Sequence, residues 1–140
     1  MNNYFIYLAG GMTGLSYDEQ IIWRLYVESK LKNYECDYKV KCFNPVDYYS
    51  LEDTTPEIEE EAMKFDLHKL INSQLVIINF NAPTSLGSMA ELAIAYDRDI
   101  PVIGLNESEQ QLHPWQYLMS SKIFTNMEDM LRYIYKYYLD

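Results

Sequence analysis

The chain has 140 residues, of which 49% are hydrophobic and 23% charged, and its formal net charge is −10. This length fits one domain with a sizeable core, and no apolar run is long enough to cross a bilayer. An acidic chain without clustered Lys and Arg does not fit a nucleic-acid partner, so a small-molecule ligand is favoured.

The first residues enter a strand pattern without a basic segment or a small-residue cleavage site, so we expect a cytoplasmic protein. Cys36 and Cys42 flank a predicted strand. Six residues of extended chain would place their Cα atoms about 20 Å apart, too far for a disulfide, and we expect two buried thiols. The scattered His and Cys residues give no zinc spacing, so we expect no metal.

Short apolar segments alternate with helical patterns, which is typical of βαβ units. The predicted strands cover residues 4–9, 38–43, 75–80, 100–105 and 122–124. The predicted helices cover residues 17–33, 57–72, 87–98 and 127–139, with a short helix at 113–120. The first of these helices begins with a capping box of Ser16 and Glu19. The pattern predicts a single α/β domain over residues 1–140, a flavodoxin-like doubly wound parallel five-stranded sheet with strand order 2-1-3-4-5.

In such a sheet, ligands bind where the strand order reverses, here between strands one and three. The loops 10–16 and 81–87 would meet there. The first loop has three glycines but neither the Gly-x-Gly-x-x-Gly pattern nor a Lys after its last Gly, so dinucleotide and nucleoside triphosphate sites are not favoured. The glycines predict either close approach of a ligand to the backbone or a tight turn without a ligand.

Glu91 is the only charged residue in the run 86–96, which is apolar nearly all the way round a helix and should be largely buried. Burying a carboxylate is costly unless it has partners or a function. Its place, one turn into a helix after a buried strand, favours a role in catalysis. The alternatives are that it stabilises the helix N-terminus or pairs with a buried Arg.

Tyr7 and Asp66 are the other candidate catalytic residues. Tyr7 lies near the carboxyl end of the first strand, where a hydroxyl needs a partner, although a core tyrosine is the alternative. Asp66 borders an apolar helical stripe, and spacing alone favours a solvated acid there. Two carboxylates near the switch point suggest nucleophilic and acid/base chemistry at a sugar carbon.

Three segments and a following strand are similar to one family. They are Tyr7-Leu-Ala-Gly10, Asp66-Leu-x-x-Leu-Ile-Asn-Ser73, Pro83-Thr-Ser-Leu-Gly-Ser-Met-Ala-Glu-Leu-Ala-Ile-Ala-Tyr96 and Ile100-Pro-Val-Ile103. Over about residues 4–105 the chain resembles the nucleoside 2-deoxyribosyltransferases and their nucleotide N-glycosidase relatives.

The resemblance implies that Glu91 is the nucleophile that forms a glycosyl-enzyme intermediate. It further implies that Asp66 holds or protonates the base and that Tyr7 orients the nucleophile. No cofactor is implied, and family members are homo-oligomers whose neighbouring subunits help to close the site. We expect substrate contacts from seven further residues: Gly10, Gly11, Met12, Asn44, Asp47, Ser85 and Gly87.

Two departures keep the activity open. Bacterial transferases tend to carry an acid six residues before the nucleophile, where this chain has Ser85. That serine is more like the N-glycosidases, in which Ser-Leu-Gly lies near a 5′-phosphate, yet the loop 10–16 lacks their basic residue. Three functions therefore stay open: transfer of the sugar to another base, hydrolysis, and nucleotide binding without turnover. We expect an unphosphorylated deoxynucleoside as substrate.

The third helix is apolar on more sides than one sheet covers, which predicts a homo-oligomer. The alternative is that residues 106–120 fold back over it. Within that segment Trp115 could stack on a base or close the core, and we expect the second.

Overall fold

The computed structural model describes residues 2–12, 14–47 and 55–140. The strands are β1 (Asn2–Gly10), β2 (Tyr38–Phe43), β3 (Leu75–Asn79), β4 (Val102–Leu105) and β5 (Lys122–Phe124). The helices are α1 (Tyr17–Asn33), α2 (Pro56–Ile71), α3 (Leu86–Asp97), α4 (Pro114–Met119) and α5 (Met127–Ile134). A 3₁₀ turn, Pro45–Asp47, follows β2, and one π-helical turn, Tyr135–Leu139, follows α5. None of the helices in the described ranges is long and apolar enough to span a bilayer.

The five strands form one parallel sheet of order β2-β1-β3-β4-β5, as predicted. Tyr7 lies beside Phe43 of β2 and Val76 of β3, and Gly10 lies beside Asn79. The strand order therefore reverses at β1 and β3, and the loops that leave these two strands emerge side by side at the carboxyl edge.

Two apolar cores cover the two faces of the sheet. Ile6 and Leu8 of β1 pack with side chains of α1 and α5, whereas Tyr7 and Ala9 pack with side chains of α2 and α3. This alternation follows from the period of two along a strand. It directs Tyr7 to the face that also carries Asp66 and Glu91.

The predicted capping box at the start of α1 is present. The Glu19 amide donates to Ser16 Oγ at 3.2 Å, and the Ser16 amide donates to Glu19 Oε1 at 3.0 Å. Each bond satisfies a backbone donor that the first turn of a helix leaves without a partner. The box fixes where the first loop ends and α1 begins.

Several boundaries differ from the predictions for local reasons. Strand β4 begins at Val102 rather than at residue 100, because Pro101 has no N–H to donate to a ladder. Helix α3 begins one residue early because Ser85 acts as its N-cap. Helix α5 gives way to the π turn after Ile134, where Tyr135 stacks on Tyr34 with ring centroids 4.1 Å apart.

The two cysteines are free, as predicted. Each is half-buried rather than fully buried, so the expectation of two buried thiols was too strong. Desolvation raises the pKa of Cys42 to about 12, which keeps this thiol protonated at neutral pH.

The sheet covers one stripe of α3, which contains Ser88, Leu92 and Ala95, as expected for a helix packed on a sheet. Burial of the remaining apolar side of α3 by a second subunit stays a prediction, whereas the burial predicted for Trp115 is wrong. Trp115 does not close the core: it is 67% exposed, and the six-residue α4 buries Gln116 instead.

Candidate active site at the β1–β3 switch point

Tyr7 and Glu91 are joined by a direct hydrogen bond. The Tyr7 hydroxyl donates to Oε2 of Glu91, and the ring of Tyr7 is fully buried in β1. Glu91 reaches this ring from the second turn of α3 and is itself only partly accessible to solvent. The switch point thus brings together two residues that the sequence predicted as catalytic.

The surroundings of Glu91 keep its proton affinity high. The pKa of this carboxyl is raised to about 7, mainly by burial and also by the negative charge of Asp66. The hydrogen bond from Tyr7 and the positive charge of Arg24 act in the opposite direction. A carboxylate that changes ionisation near neutral pH can serve as a nucleophile or as a base.

Tyr7 remains a hydrogen-bond donor under the same conditions. Burial is the main cause that raises the pKa of its hydroxyl well above the ordinary value, and the charges of Glu91 and Asp66 add to it. Its ring stacks on Phe43 at 5.3 Å between centroids, with 22° between the planes. The phenol is therefore fixed in position and stays protonated, with its hydrogen directed at the carboxylate of Glu91.

Asp66 belongs to the same electrostatic group. It is half-buried on α2, and its charge raises the pKa values of both Glu91 and Tyr7. The adjacent Phe65 meets Phe43 edge-on at 5.5 Å, which ties α2 to the end of β2. A fully solvated acid, which spacing alone favours, is not what the structure contains.

The predicted contact residues of the first loop make packing interactions. A Cβ at Gly10 would lie 2.9 Å from Trp23 Cζ2, and one at Gly11 would lie 2.5 Å from the Cβ of Ala82. The Met12 carbonyl accepts from Gln20 Nε2 at 2.9 Å. Close packing therefore explains both glycines, Gly10 against the side chain of Trp23 on α1 and Gly11 against the loop after β3, and a role for them in ligand binding stays a prediction.

The loop after β3 is held by amide side chains that the sequence did not single out. Asn81 Oδ1 accepts from the Gly11 amide at 3.3 Å, and Asn81 Nδ2 donates to the Glu19 carbonyl at 3.4 Å. Gln110 Nε2 donates to the Phe80 carbonyl at 3.2 Å, and Gln116 Nε2 donates to that of Pro83 at 2.8 Å. These bonds fix the segment that leads into α3 and thereby the position of Glu91.

Two of the predicted contact residues use their side chains within their own segments. Ser85 Oγ accepts from Ser88 Oγ at 3.2 Å and from the Ser88 amide at 3.5 Å. Asn44 is buried after β2, and its Oδ1 accepts from the Val46 amide at 3.1 Å.

The other two lie at the ends of their elements. Gly87 is exposed in the first turn of α3. Asp47 ends the 3₁₀ turn, and its side chain lies outside the described part of the structure, as do residues 48–54.

Arg24 of α1 is the buried cation of this region. Its side chain is fully buried and donates to the carbonyls of Leu8 at 3.3 Å, Gln20 at 2.5 Å and Gly10 at 3.2 Å. The burial of Arg24 could have been predicted from helical spacing. Arg24 lies on one stripe of α1 with Gln20, Val27 and Leu31, so two polar residues share a face with apolar ones. Within residues 2–12, 14–47 and 55–140, no group of three His, Cys, Asp or Glu residues has an arrangement that could hold a metal.

The similarity of this chain to known proteins is found in three-dimensional structure. No protein-family model matches the chain, and no curated protein matches it by sequence. Among solved structures it is similar to a conserved protein from Enterococcus faecalis V583, with a TM-score of 0.76, 18% identity and coverage of 95% of this chain and 98% of that one.

Two similar structures have named activities. The 2-deoxyribosyltransferase of Bacillus psychrosaccharolyticus has a TM-score of 0.75 at 17% identity, over 92% of this chain and 91% of that one. The CMP N-glycosidase of Clostridium botulinum has a TM-score of 0.56 at 12% identity, over 93% and 97%. The predicted resemblance is thus confirmed at the level of the fold.

Proposed function

We propose that this protein cleaves the N-glycosidic bond of a 2′-deoxyribonucleoside through a covalent deoxyribosyl–Glu91 intermediate and transfers the sugar to another nucleobase. The observation that carries the proposal is the hydrogen bond from Tyr7 to Glu91 at the switch point. The fold shared with a 2-deoxyribosyltransferase and a CMP N-glycosidase supports the same class of reaction.

In the first step, a carboxylate oxygen of Glu91 attacks C1′ of the sugar. The bond from C1′ to the base nitrogen breaks, and its electron pair stays with the base. Tyr7 keeps its proton and holds the carboxylate in one orientation, so that the free oxygen faces C1′. A covalent intermediate divides one difficult substitution into two easier ones.

Asp66 acts on the leaving group. In its protonated form it delivers a proton to the departing base, and it recovers that proton when an incoming base attacks C1′ and displaces Glu91. Its half-buried place on α2, within electrostatic range of both Tyr7 and Glu91, supports this assignment. Glycosyl chemistry commonly uses two neighbouring carboxyl groups, one that attacks the sugar and one that assists the leaving group.

An unphosphorylated substrate suits the residues around the first loop. The segment 10–16 carries no Lys or Arg, and the Ser85 hydroxyl is engaged in capping α3. The guanidinium of Arg24 is buried and occupied by three backbone carbonyls. A 5′-phosphate would therefore meet backbone amides rather than a free cation.

Hydrolysis and binding without turnover are the competing functions, and one incubation separates them from transfer. The protein is mixed with a deoxynucleoside and a second free base, and the products are separated by chromatography. A new nucleoside supports the proposal, free base with free sugar indicates a hydrolase, and tight binding without products indicates a binding protein. Repeating the incubation with the 5′-monophosphate tests the substrate assignment, which a preference of more than about tenfold for the monophosphate would overturn.

A further inference from the structure

Arg24 occupies an unusual place for a cation. It belongs to α1, which covers the face of the sheet opposite to Tyr7, Asp66 and Glu91, and its side chain is fully buried. Burying a charge is costly unless nearby groups compensate it. What compensates Arg24 therefore needs an explanation.

The hydrogen bonds of Arg24 aim its guanidinium at the carboxyl end of β1. Nε donates to the Leu8 carbonyl at 3.3 Å and Nη2 to the Gly10 carbonyl at 3.2 Å, while Nη1 returns to Gln20 of its own helix at 2.5 Å. A Cβ at Gly10 would lie 3.3 Å from Nη2, so the missing side chain leaves room for the cation at the end of the strand. Three neutral carbonyls accept one hydrogen bond from each of its nitrogens but do not neutralise its charge.

The only ion pairs formed within the described ranges lie elsewhere, between Lys32 and Glu28, Lys64 and Glu60, and Arg132 and Asp129. The negative charges that act on Arg24 are those of Glu91 and Asp66. Glu91 is affected in turn by the hydrogen bond from Tyr7 on β1, by the charge of Asp66 on α2 and by that of Arg24 on α1. From α4, on another side of α3, neutral Gln116 contacts Met89.

We propose that Arg24 is a positioning residue whose buried guanidinium, reaching the carboxyl end of β1 from the opposite face of the sheet, is an internal counter-charge that stabilises the ionised form of Glu91 beside Asp66. The inference rests on the proposed function, in which an ionised Glu91 is the attacking group. Arg24 touches neither the substrate nor the reacting atoms and acts through the field at Glu91. The charge of Arg24, more than the shape of its side chain, is therefore the property that matters.

The test measures the ionisation of Glu91 directly. Carboxyl carbons of glutamate are labelled for NMR, and the Glu91 signal is identified by its absence in Glu91→Gln. The titration is followed in the unchanged protein, Arg24→Gln, Arg24→Lys and Arg98→Gln. Arg24→Gln keeps amide donors for the carbonyls without the charge, Arg24→Lys keeps the charge, and Arg98 is an exposed arginine at the end of α3 that serves as the matched control.

In Arg24→Gln we expect the Glu91 midpoint to move upward by about one pH unit or more, a tenfold change in its ionisation ratio. In Arg24→Lys and Arg98→Gln the midpoint stays near that of the unchanged protein, and the acidic limb of the kcat/KM profile moves in parallel with the NMR midpoint. An unmoved midpoint in Arg24→Gln, or equal movement in the Gln and Lys variants, overturns the proposal. If no variant has glycosyl activity, the proposed function fails while the titration still decides the role of Arg24.

Should Arg24→Gln fail to fold, the double variant Arg24→Gln with Glu91→Gln answers the same question. Removing both charges should restore folding above pH 7, because neither charge is then buried without the other. A double variant as unstable as Arg24→Gln overturns the proposal.

Discussion

The hydroxyl of Tyr7 donates its hydrogen to the carboxylate of Glu91 although 84 positions separate the two residues in the sequence. The bond crosses from β1 to α3 at the point where the strand order reverses. It stabilises the ionised form of Glu91 against the opposing effects of burial and of Asp66. The ionisation of Glu91 should therefore depend strongly on this hydroxyl.

Replacing Tyr7 with Phe tests this dependence. The substitution removes a hydrogen bond to a charged group, worth about 1.5–3 kcal/mol, so the pKa of Glu91 should rise by about 1–2 pH units. The acidic limb of the kcat/KM profile should move upward accordingly, with activity lost at pH 7 and partly recovered at higher pH. Tyr26→Phe is the control, because the Tyr26 hydroxyl donates to the surface residue Glu128. A loss of activity that is equal at every pH would show that the hydroxyl does not act through ionisation.

Glu91→Gln should make stability less dependent on pH. The pKa of Glu91 is raised from 4.5 to about 7 by burial, so the folded state holds its proton more tightly than the unfolded state. The stability that this proton provides is fully present below about pH 4.5 and is lost as the pH rises to about 7, at most about 3 kcal/mol.

Urea unfolding at several pH values between 4 and 8 measures whether the free energy of unfolding changes in this direction. Glu91→Gln should be more stable than the unchanged protein at pH 8 and no more stable at pH 4. Glu35→Gln, an exposed glutamate before β2, should follow the unchanged protein at both values. A Glu91→Gln variant with the same pH dependence as the unchanged protein would mean that Glu91 is not desolvated in solution.

Asp66→Asn should slow the reaction according to the quality of the leaving group. Loss of general-acid assistance costs about 10²–10⁴-fold, and bases that leave easily need it least. Steady-state rates for a series of deoxynucleosides, with Asp97→Asn on the exposed end of α3 as the control, measure the effect. The same defect with every base would rule out the proposed role of Asp66.

The sequence predicts the sheet well because β3 and β4 are apolar runs, and β2 alternates lysines with apolar residues, each bounded by loop residues. All five strands end within two residues of their predicted limits, and the predicted order placed Tyr7 and Glu91 at the same switch point. The side chains of Arg24 and Asn81 could not be placed in this way. Their partners are backbone atoms of other segments, and a local pattern does not specify such contacts.

The exposed side of α3 predicts self-association. Leu86 and Tyr96 are 85% and 57% exposed, and the exposed Ala90 and Ala93 lie between them along the same helix. An apolar face of this kind is commonly buried in a symmetric assembly. Light scattering over a concentration series should give a mass above that of one chain, and Ala93→Glu should lower it. Full activity at the mass of a single chain would contradict the prediction.

The most direct measurement is mass spectrometry of the protein quenched in acid after mixing with a deoxynucleoside and no acceptor base. The proposed reaction predicts an added mass of one deoxyribosyl group on the peptide that contains Glu91. The adduct should be absent in Glu91→Gln, which should retain its fold and lose activity by several powers of ten. Turnover without an adduct on that peptide, or near-native turnover by Glu91→Gln, would contradict the assignment of Glu91 as the nucleophile.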